Sequence, residues 1–497
     1  MMEIEKRMVN WKVSLLCIVL GVIARILVYL NGVIYPSVDK DLLPLVEWNV
    51  NWSSEEVGED DSGNGNINNE DGDGEDSILI QPPDDVLQDL FDRLRLFQAT
   101  DDAASRPLVD VDYDAATYGI SQDLVRFYVD YWLSDAYNWR KQEEYFNSFK
   151  QSTKRINGLI IHYFHITCPK DSNRNAIPLM LIHGWPGSFT EFFPYVVKIL
   201  TSYQDQHGNC VFDLIIPSIP GFGMSEDSHK SGFDPVDAAV IMVKLLRILG
   251  YKKSICQGGD FGSVICSAMA QIAPNDFYGI HLNMLMVPNP PLSMGGPLNW
   301  LLCLIAPSLA LPKSDQGRIT PITDFMAMVI DQTGYSHLQA TKPDTIGLGL
   351  NDSPAFLLGF FLEKFVVWSY NKNIKEAYTP EQLINNAMVY WLGRSGQTSA
   401  RLYKEVANSK ATWISLAAPI KIPVGLADFP GEMIRPPRSW FSAKYYDIAT
   451  YDEYDKGGHF PAMEVPDLLC KSIIHFIQEL QERNVIEKFD LKQKPLD

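Results

Sequence analysis

Residues 254–263 read Ser-Ile-Cys-Gln-Gly-Gly-Asp-Phe-Gly-Ser, an apolar run that ends in Gly-x-Asp-x-Gly and leads into a helical stretch. Glycines two residues to either side of a central acid fit a strand that turns sharply into a helix, where neither flank has room for a side chain. Such a turn belongs on a mostly parallel sheet covered by helices, and the surrounding chain supplies one. Apolar runs at 159–166, 178–182, 212–217 and 280–285 alternate with amphipathic stretches such as 235–249. From about 289 to 413 the alternation gives way to longer helical stretches. It resumes at 422–427, before an amphipathic helix over 468–481. A helical insert inside a βα scaffold is a natural lid over an active site.

Gly258 and Gly262 flank Asp260, and the chain has no G-x-S-x-G, so a serine esterase is disfavoured. An Asp among glycines also occurs in ordinary turns. As a nucleophile, however, a carboxylate attacks an sp³ carbon and leaves an ester that water then cleaves, which suits strained epoxides or carbons bearing halides. Upstream, directly after an apolar run, lies His183-Gly184-Trp185-Pro186-Gly187-Ser188. A tight loop would explain it alone. In an α/β-hydrolase it supplies an oxyanion-hole amide, here Trp185, beside the amide of the residue after the nucleophile, Phe261. In that fold the acid and then the histidine follow the nucleophile in the chain. Of nine histidines only His459 and His475 lie beyond the insert. His475 falls on the C-terminal helix and reads as structural. His459, in a Gly-rich loop, is the candidate base. Its orienting carboxylate should follow the 422–427 strand, where Asp428 and Glu432 both qualify.

The first eighty residues are different in kind. Residues 13–30 read VSLLCIVLGVIARILVYL, long enough to span a membrane, with Arg25 as a costly interruption. A cleaved signal peptide is the rival, but no clear small-x-small site follows. Lys6, Arg7 and Lys12 favour a cytosolic N-terminus. Next comes an acidic, low-complexity stretch with almost nothing to bury, the expected behaviour of a flexible spacer. The formal charge of −19 sits largely there; it argues against nucleic acid as a partner, which would need clustered Lys and Arg. The seven cysteines are odd in number and lack CxxC spacing, so they read as buried free thiols with neither a disulfide framework nor a zinc site. No metal or cofactor is called for.

These residues resemble the microsomal-type epoxide hydrolases, including the arthropod juvenile hormone epoxide hydrolases, from about residue 78 to the C-terminus and in the anchor. HGWPGS at 183–188 and GGDFGS at 258–263 are similar to the family's two signature turns. The stretch 331–354 (DQTGYSHLQATKPDTIGLGLNDSP) resembles its lid segment, and Ala400-Arg401-Leu402-Tyr403-Lys404-Glu405 a second lid motif. The resemblance implies an α/β-hydrolase fold with a helical lid, Asp260 as nucleophile, His459 as general base and Glu432 rather than Asp428 as its orienter. It also implies that Tyr335 and Tyr403 donate hydrogen bonds to the epoxide oxygen; without it, any of the 22 tyrosines would read as structural. Two phenols aimed at a developing alkoxide make physical sense as electrophilic catalysts. The family usually has Trp where Phe261 stands, but the contribution there is a backbone N–H. A haloalkane dehalogenase would want an indole N–H at that position. A non-catalytic hydrolase-fold binding protein would lack a member of the set, and all are present. The chain thus divides into an anchor (1–36), an acidic flexible linker (37–77), an N-terminal helical segment (78–157), core (158–288), lid (289–413) and core (414–497). The substrate class is a lipophilic epoxide with water, at the endoplasmic reticulum membrane. The apolar 356–368 stretch also suits lipophilic epoxides. The acceptor Asn51-Trp52-Ser53 would report the side of the membrane on which the body lies.

Overall fold

The computed structural model describes residues 36–54, 76–99, 117–169, 176–294, 296 and 298–494. The described residues contain eleven strands: β1 (Asp76–Ser77), β2 (Gln151–Ile156), β3 (Leu159–Ile166), β4 (Ile177–Ile182), β5 (Tyr203–Gln204), β6 (Phe212–Pro217), β7 (Ser254–Gly258), β8 (Phe277–Leu282), β9 (Ile420–Asp428), β10 (Tyr445–Glu453) and β11 (Lys492–Gln493). Nine of them form one sheet in the order β1-β2-β3-β6-β4-β7-β8-β9-β10, while β5 and β11 pair separately. From β6 to β10 every pairing is parallel; β1, β2 and β3 add an antiparallel edge. Parallel strands are covered on both faces, which is why β4, Ile-Pro-Leu-Met-Leu-Ile, is buried at every position. Helices Pro235–Ile248, Asp260–Ile272 and Lys410–Ala417 pack together against the sheet, and Tyr195–Thr201 packs with Pro466–Glu482.

Three expectations need correction here. The 78–157 segment is not helical throughout: helix Trp139–Asn147 is followed by β2, which pairs with β3 across an Asn157-Gly158 turn with φ of 51° and 82°. Asn-Gly with positive φ at both residues is the two-residue hairpin signal, and here it outweighs the helical reading. Residues 37–54 are not a flexible spacer either. Val38 and Leu42 are buried, and Trp52 is buried edge-on against Phe233 while its backbone N–H donates to Asn157 O; these apolar and aromatic side chains give that part of the linker something to bury. The thiol reading also fails for four of the seven cysteines. Cys168 pairs with Cys210 and Cys256 with Cys266, at Cα separations of 5.5 and 5.9 Å. The first pair joins the end of β3 to the start of β6, and the second joins β7 to the helix packed on it, so adjacency in space rather than in sequence makes the pairs. Cys303 and Cys470 are free and buried; Cys17 lies outside the described residues.

Smaller shifts are local. The strand expected at 280–285 is β8, Phe277–Leu282, and it stops where Asn283 N–H turns back to Gly258 O. The helical insert runs on to Ala417, past the expected 413. Helix Pro354–Trp368 owes its hydrophobicity mainly to packing, since Leu357, Leu358, Phe361, Leu362 and Phe365 are all buried. Among the described residues no single helix is long and apolar enough to cross a membrane. The anchor expected within 1–36, apart from its last residue, and the acidic stretch 55–75 lie outside the described residues.

Candidate active site

Four loops that follow the C-terminal ends of β4, β7, β9 and β10 converge, the position where open parallel sheets place their ligands. After β7 the chain turns at Gly258 and Gly259 into helix Asp260–Ile272. A side chain at Gly258 would stand 2.3 Å from Gly262 O, and one at Gly262 would stand 2.1 Å from Ile182 O, so both flanks exclude any larger residue. Asp260 itself has φ of 47°, a left-handed conformation that costs energy for a residue with a Cβ and lifts its carboxylate out of the turn at a helix N-terminus.

The two carboxylate oxygens have different neighbours. Asp260 Oδ1 accepts the Trp185 N–H at 2.9 Å. Oδ2 stands 3.3 Å from His459 Nε2. Among the described residues Phe261 N–H makes no hydrogen bond to this carboxylate, so the resting arrangement shows one of the two expected amide donors engaged. His459 Nδ1 faces both oxygens of Glu432, at 3.0 and 2.9 Å, and both residues are buried. The loops carrying them are tied by a parallel bridge between Gly431 and Gly458 and by Gly431 N–H to Gly457 O. Burial opposes charge on His459, but Glu432 and Asp260 outweigh it and hold the imidazole well above its ordinary value. Asp428, the other carboxylate candidate, is engaged elsewhere: Arg435 and Arg318 each reach it at 2.7 Å and the Tyr451 hydroxyl at 2.6 Å.

The Trp185 loop is held from two sides. His183 donates from Nδ1 to Gly184 O and accepts Ile219 N–H at Nε2; burial lowers it to about 4, which keeps it a neutral strut. From the insert, Asn386 Nδ2 donates to Pro186 O and its Oδ1 accepts from Ser188 Oγ, while the Tyr390 hydroxyl donates to Gly187 O. The same insert brings Tyr335, on helix Gly334–Thr341, and Tyr403, on helix Ser395–Asn408, over the carboxylate. Tyr335 stacks on Trp185 with ring centroids 4.9 Å apart, Tyr403 packs edge-on against Phe261, and the two tyrosine rings meet edge-on with centroids 5.6 Å apart. Burial first, then the charge of Asp260, pushes Tyr335 up; burial, then Tyr335 and Asp260, does the same for Tyr403, so both phenols stay protonated. Buried Lys364 places its ammonium 4.2 Å from the centre of the Tyr335 ring. Asn386, Tyr390, Lys364 and Trp368, whose carbonyl accepts His459 N–H, carry no local motif and went unseen in the sequence. Among the described residues no cluster of His, Cys, Asp and Glu is arranged to hold a metal ion.

Residues 76–192 match the family model described as epoxide hydrolase N terminus, and 177–301 match the alpha/beta hydrolase fold. Epoxide hydrolase 1 of Sus scrofa is 34% identical over 81% of this chain and 88% of its own length. The chain belongs to the microsomal-type epoxide hydrolases. Juvenile hormone epoxide hydrolase 1 of Ctenocephalides felis is 35% identical, covering 76% of this chain and 81% of that protein. The crystal structure of juvenile hormone epoxide hydrolase from Bombyx mori superposes with a TM-score of 0.74 at 30% identity, covering 83% of this chain and 96% of that one. Aspergillus niger epoxide hydrolase superposes with a TM-score of 0.65 at 26% identity, over 82% of this chain and 97% of that one. This epoxide hydrolase thus has the α/β-hydrolase fold and adds water to an epoxide. The dehalogenase and the non-catalytic binding protein fall away as readings of the chain.

Proposed function

We propose that this epoxide hydrolase works through a covalent ester on Asp260, and the observation that carries the reading is the split environment of that carboxylate. Oδ1 is anchored by the Trp185 amide, which leaves Oδ2 to attack an epoxide carbon as the C–O bond opens. The ring oxygen takes a proton from the Tyr335/Tyr403 pair and becomes the first hydroxyl. Water then adds to the Asp260 carboxyl carbon while His459 Nε2 takes its proton. The oxyanion forms on Oδ1 against Trp185 N–H, with Phe261 N–H as the second donor once the geometry becomes tetrahedral. Collapse releases the second hydroxyl, which takes the proton from His459, and the acid left on Asp260 returns its proton to the tyrosinate. Glu432 holds the imidazole in the tautomer this needs.

Single-turnover reaction with styrene oxide in oxygen-18 water tests the sequence of events. The first diol released should carry unlabelled oxygen, with the label in the Asp260 carboxylate. Label in the first diol would mean direct attack by water and would end the covalent reading.

We propose further that the insert between β8 and β9 acts as a lid and that the substrate is a lipophilic epoxide. Trp185, Phe261, Phe360 and Trp368 wall the space around the tyrosines, and several relatives are named for juvenile hormone. The apolar run at 13–30 supports attachment to the endoplasmic reticulum membrane, where such substrates partition.

A further inference from the structure

Against the Asp260 carboxylate lies a cavity of about 20 Å³ whose lining includes Gly184, Glu191, Gln257, Asp260, Asn283 and His459. That is room for about one water. Two of the lining atoms have capacity to spare within the protein. Gln257 Oε1 is buried with no partner, although its Nε2 donates to Asn283 Oδ1 at 2.7 Å. His459 Nε2, near Asp260 but not hydrogen-bonded, is the other. A water needs two to four polar partners, and these atoms offer them.

Glu191 is the group in this lining that the chemistry above leaves unused. Its carboxyl lies over Gly187, where a side chain would meet Glu191 Oε1 at 1.4 Å. Gly184, which lines the same cavity, lies against the nucleophile: a Cβ there would stand 2.3 Å from Asp260 Cβ. A half-buried acid beside the nucleophilic carboxylate is costly, and its place in this lining calls for a reason. Burial, tempered by His459 and reinforced by Asp260, pushes Glu191 up to about 8, so near neutrality it both donates and accepts hydrogen bonds.

We propose that Glu191 is a positioning residue for the second half-reaction: with Gln257 and Asn283 it holds one water between His459 Nε2 and the carboxyl carbon of Asp260. Glu191 gains and loses no proton in the cycle; it fixes the attack line of the water whose proton passes to His459. This rests on the covalent reading, and it predicts a separation of the two steps. Deprived of Glu191, the enzyme still forms its ester, since the carboxylate, the Trp185 amide and the tyrosines are in place, but cleaves it slowly.

The experiment is rapid-quench single turnover with styrene oxide on the full chain, following the ester on the Asp260 peptide by mass spectrometry. Glu191→Leu should form ester at close to the wild-type rate and hydrolyse it on the order of 100-fold more slowly, so that ester accumulates. Glu191→Gln, which keeps shape and hydrogen bonding, should recover most of that loss. Gln257→Met removes a second polar wall of the cavity and should shift the same balance. Should Glu191→Leu fail to fold, the Glu191→Gln and Gln257→Met variants decide. Equal loss of both steps in Glu191→Leu or Gln257→Met, or unchanged ester cleavage in either of them, overturns the role of Glu191, as does a Glu191→Gln variant that cleaves its ester as slowly as Glu191→Leu. No ester in the wild type would instead remove the covalent reading itself.

Discussion

Asp428 and Glu432 lie four residues apart and look alike in the sequence, yet their surroundings give them opposite characters. Burial raises Asp428, but Arg435, Tyr451 and Arg318 hold it below its usual range, so it is spent on a buried charge network. Glu432 faces one ring nitrogen of His459 and the amides of Met433 and Ile434. Its charge, with that of Asp260, is what lifts His459 against burial. Glu432→Gln therefore has two expected effects. Ester cleavage slows on the order of 100-fold, because the imidazole loses its orienter. The acid limb of the hydrolysis profile moves to lower pH, because an imidazole without its anion holds its proton less tightly and remains a base further into acid. Single-turnover rates across pH check both; an acid limb that stays in place would show that Glu432 does not set the charge on His459.

At the scale of elements, the insert does more than cover the core. Helix Pro380–Leu392 grips the loop whose Trp185 amide faces Asp260, through Asn386 and Tyr390. Asn386→Leu strands the buried Pro186 carbonyl without its partner, a cost of about 1–3 kcal/mol. Calorimetry should show a lower Tm, and kcat should fall as the amide loses its fixed place; full activity with only a stability loss would mean the loop holds its geometry unaided. The elements also show how far local patterns reach. The Gly-x-Asp-x-Gly turn was readable because sterics act over five residues. The β2–β3 hairpin was equally local, written in Asn157-Gly158, but the helical periodicity before it masked the signal. The end of β8 at Leu282 was not local at all; it follows from pairing with Gly258 of β7.

For the whole molecule, the described N-terminal stretch ties the body to whatever precedes it. Residues 37–54 pack on the core through Val38, Leu42 and Trp52, and Lys230 Nζ donates to Asn51 O at 2.6 Å, so any anchor upstream would hold the catalytic body close. The full chain should stay with the membrane pellet after alkaline carbonate extraction, and a chain starting at residue 37 should be released. Release of the full chain would rule out the apolar 13–30 run as a span. Mass spectrometry of the peptide containing Asn51 then reports the side of the membrane, since only a lumenal body acquires a glycan there.

By itself the sequence determined the scaffold, the nucleophile and the base; the two tyrosines were legible only through the family resemblance. Alternating apolar runs set a parallel sheet under helices, two glycines set the turn that presents Asp260, and chain order singled out His459. Each depends on sterics or periodicity within a few residues. The family resemblance had already favoured Glu432 over Asp428, but the tertiary structure alone decided which cysteines pair, how the insert grips the Trp185 loop, and that Glu191 lines the same cavity as Asp260. Those are relations between residues far apart in the chain, fixed by how the sheet and the insert pack, and no short pattern encodes them. Burial then gives the same side chain a different chemistry from the one its name suggests: His183 becomes a neutral strut, and Glu191 is pushed up from the usual carboxylate range.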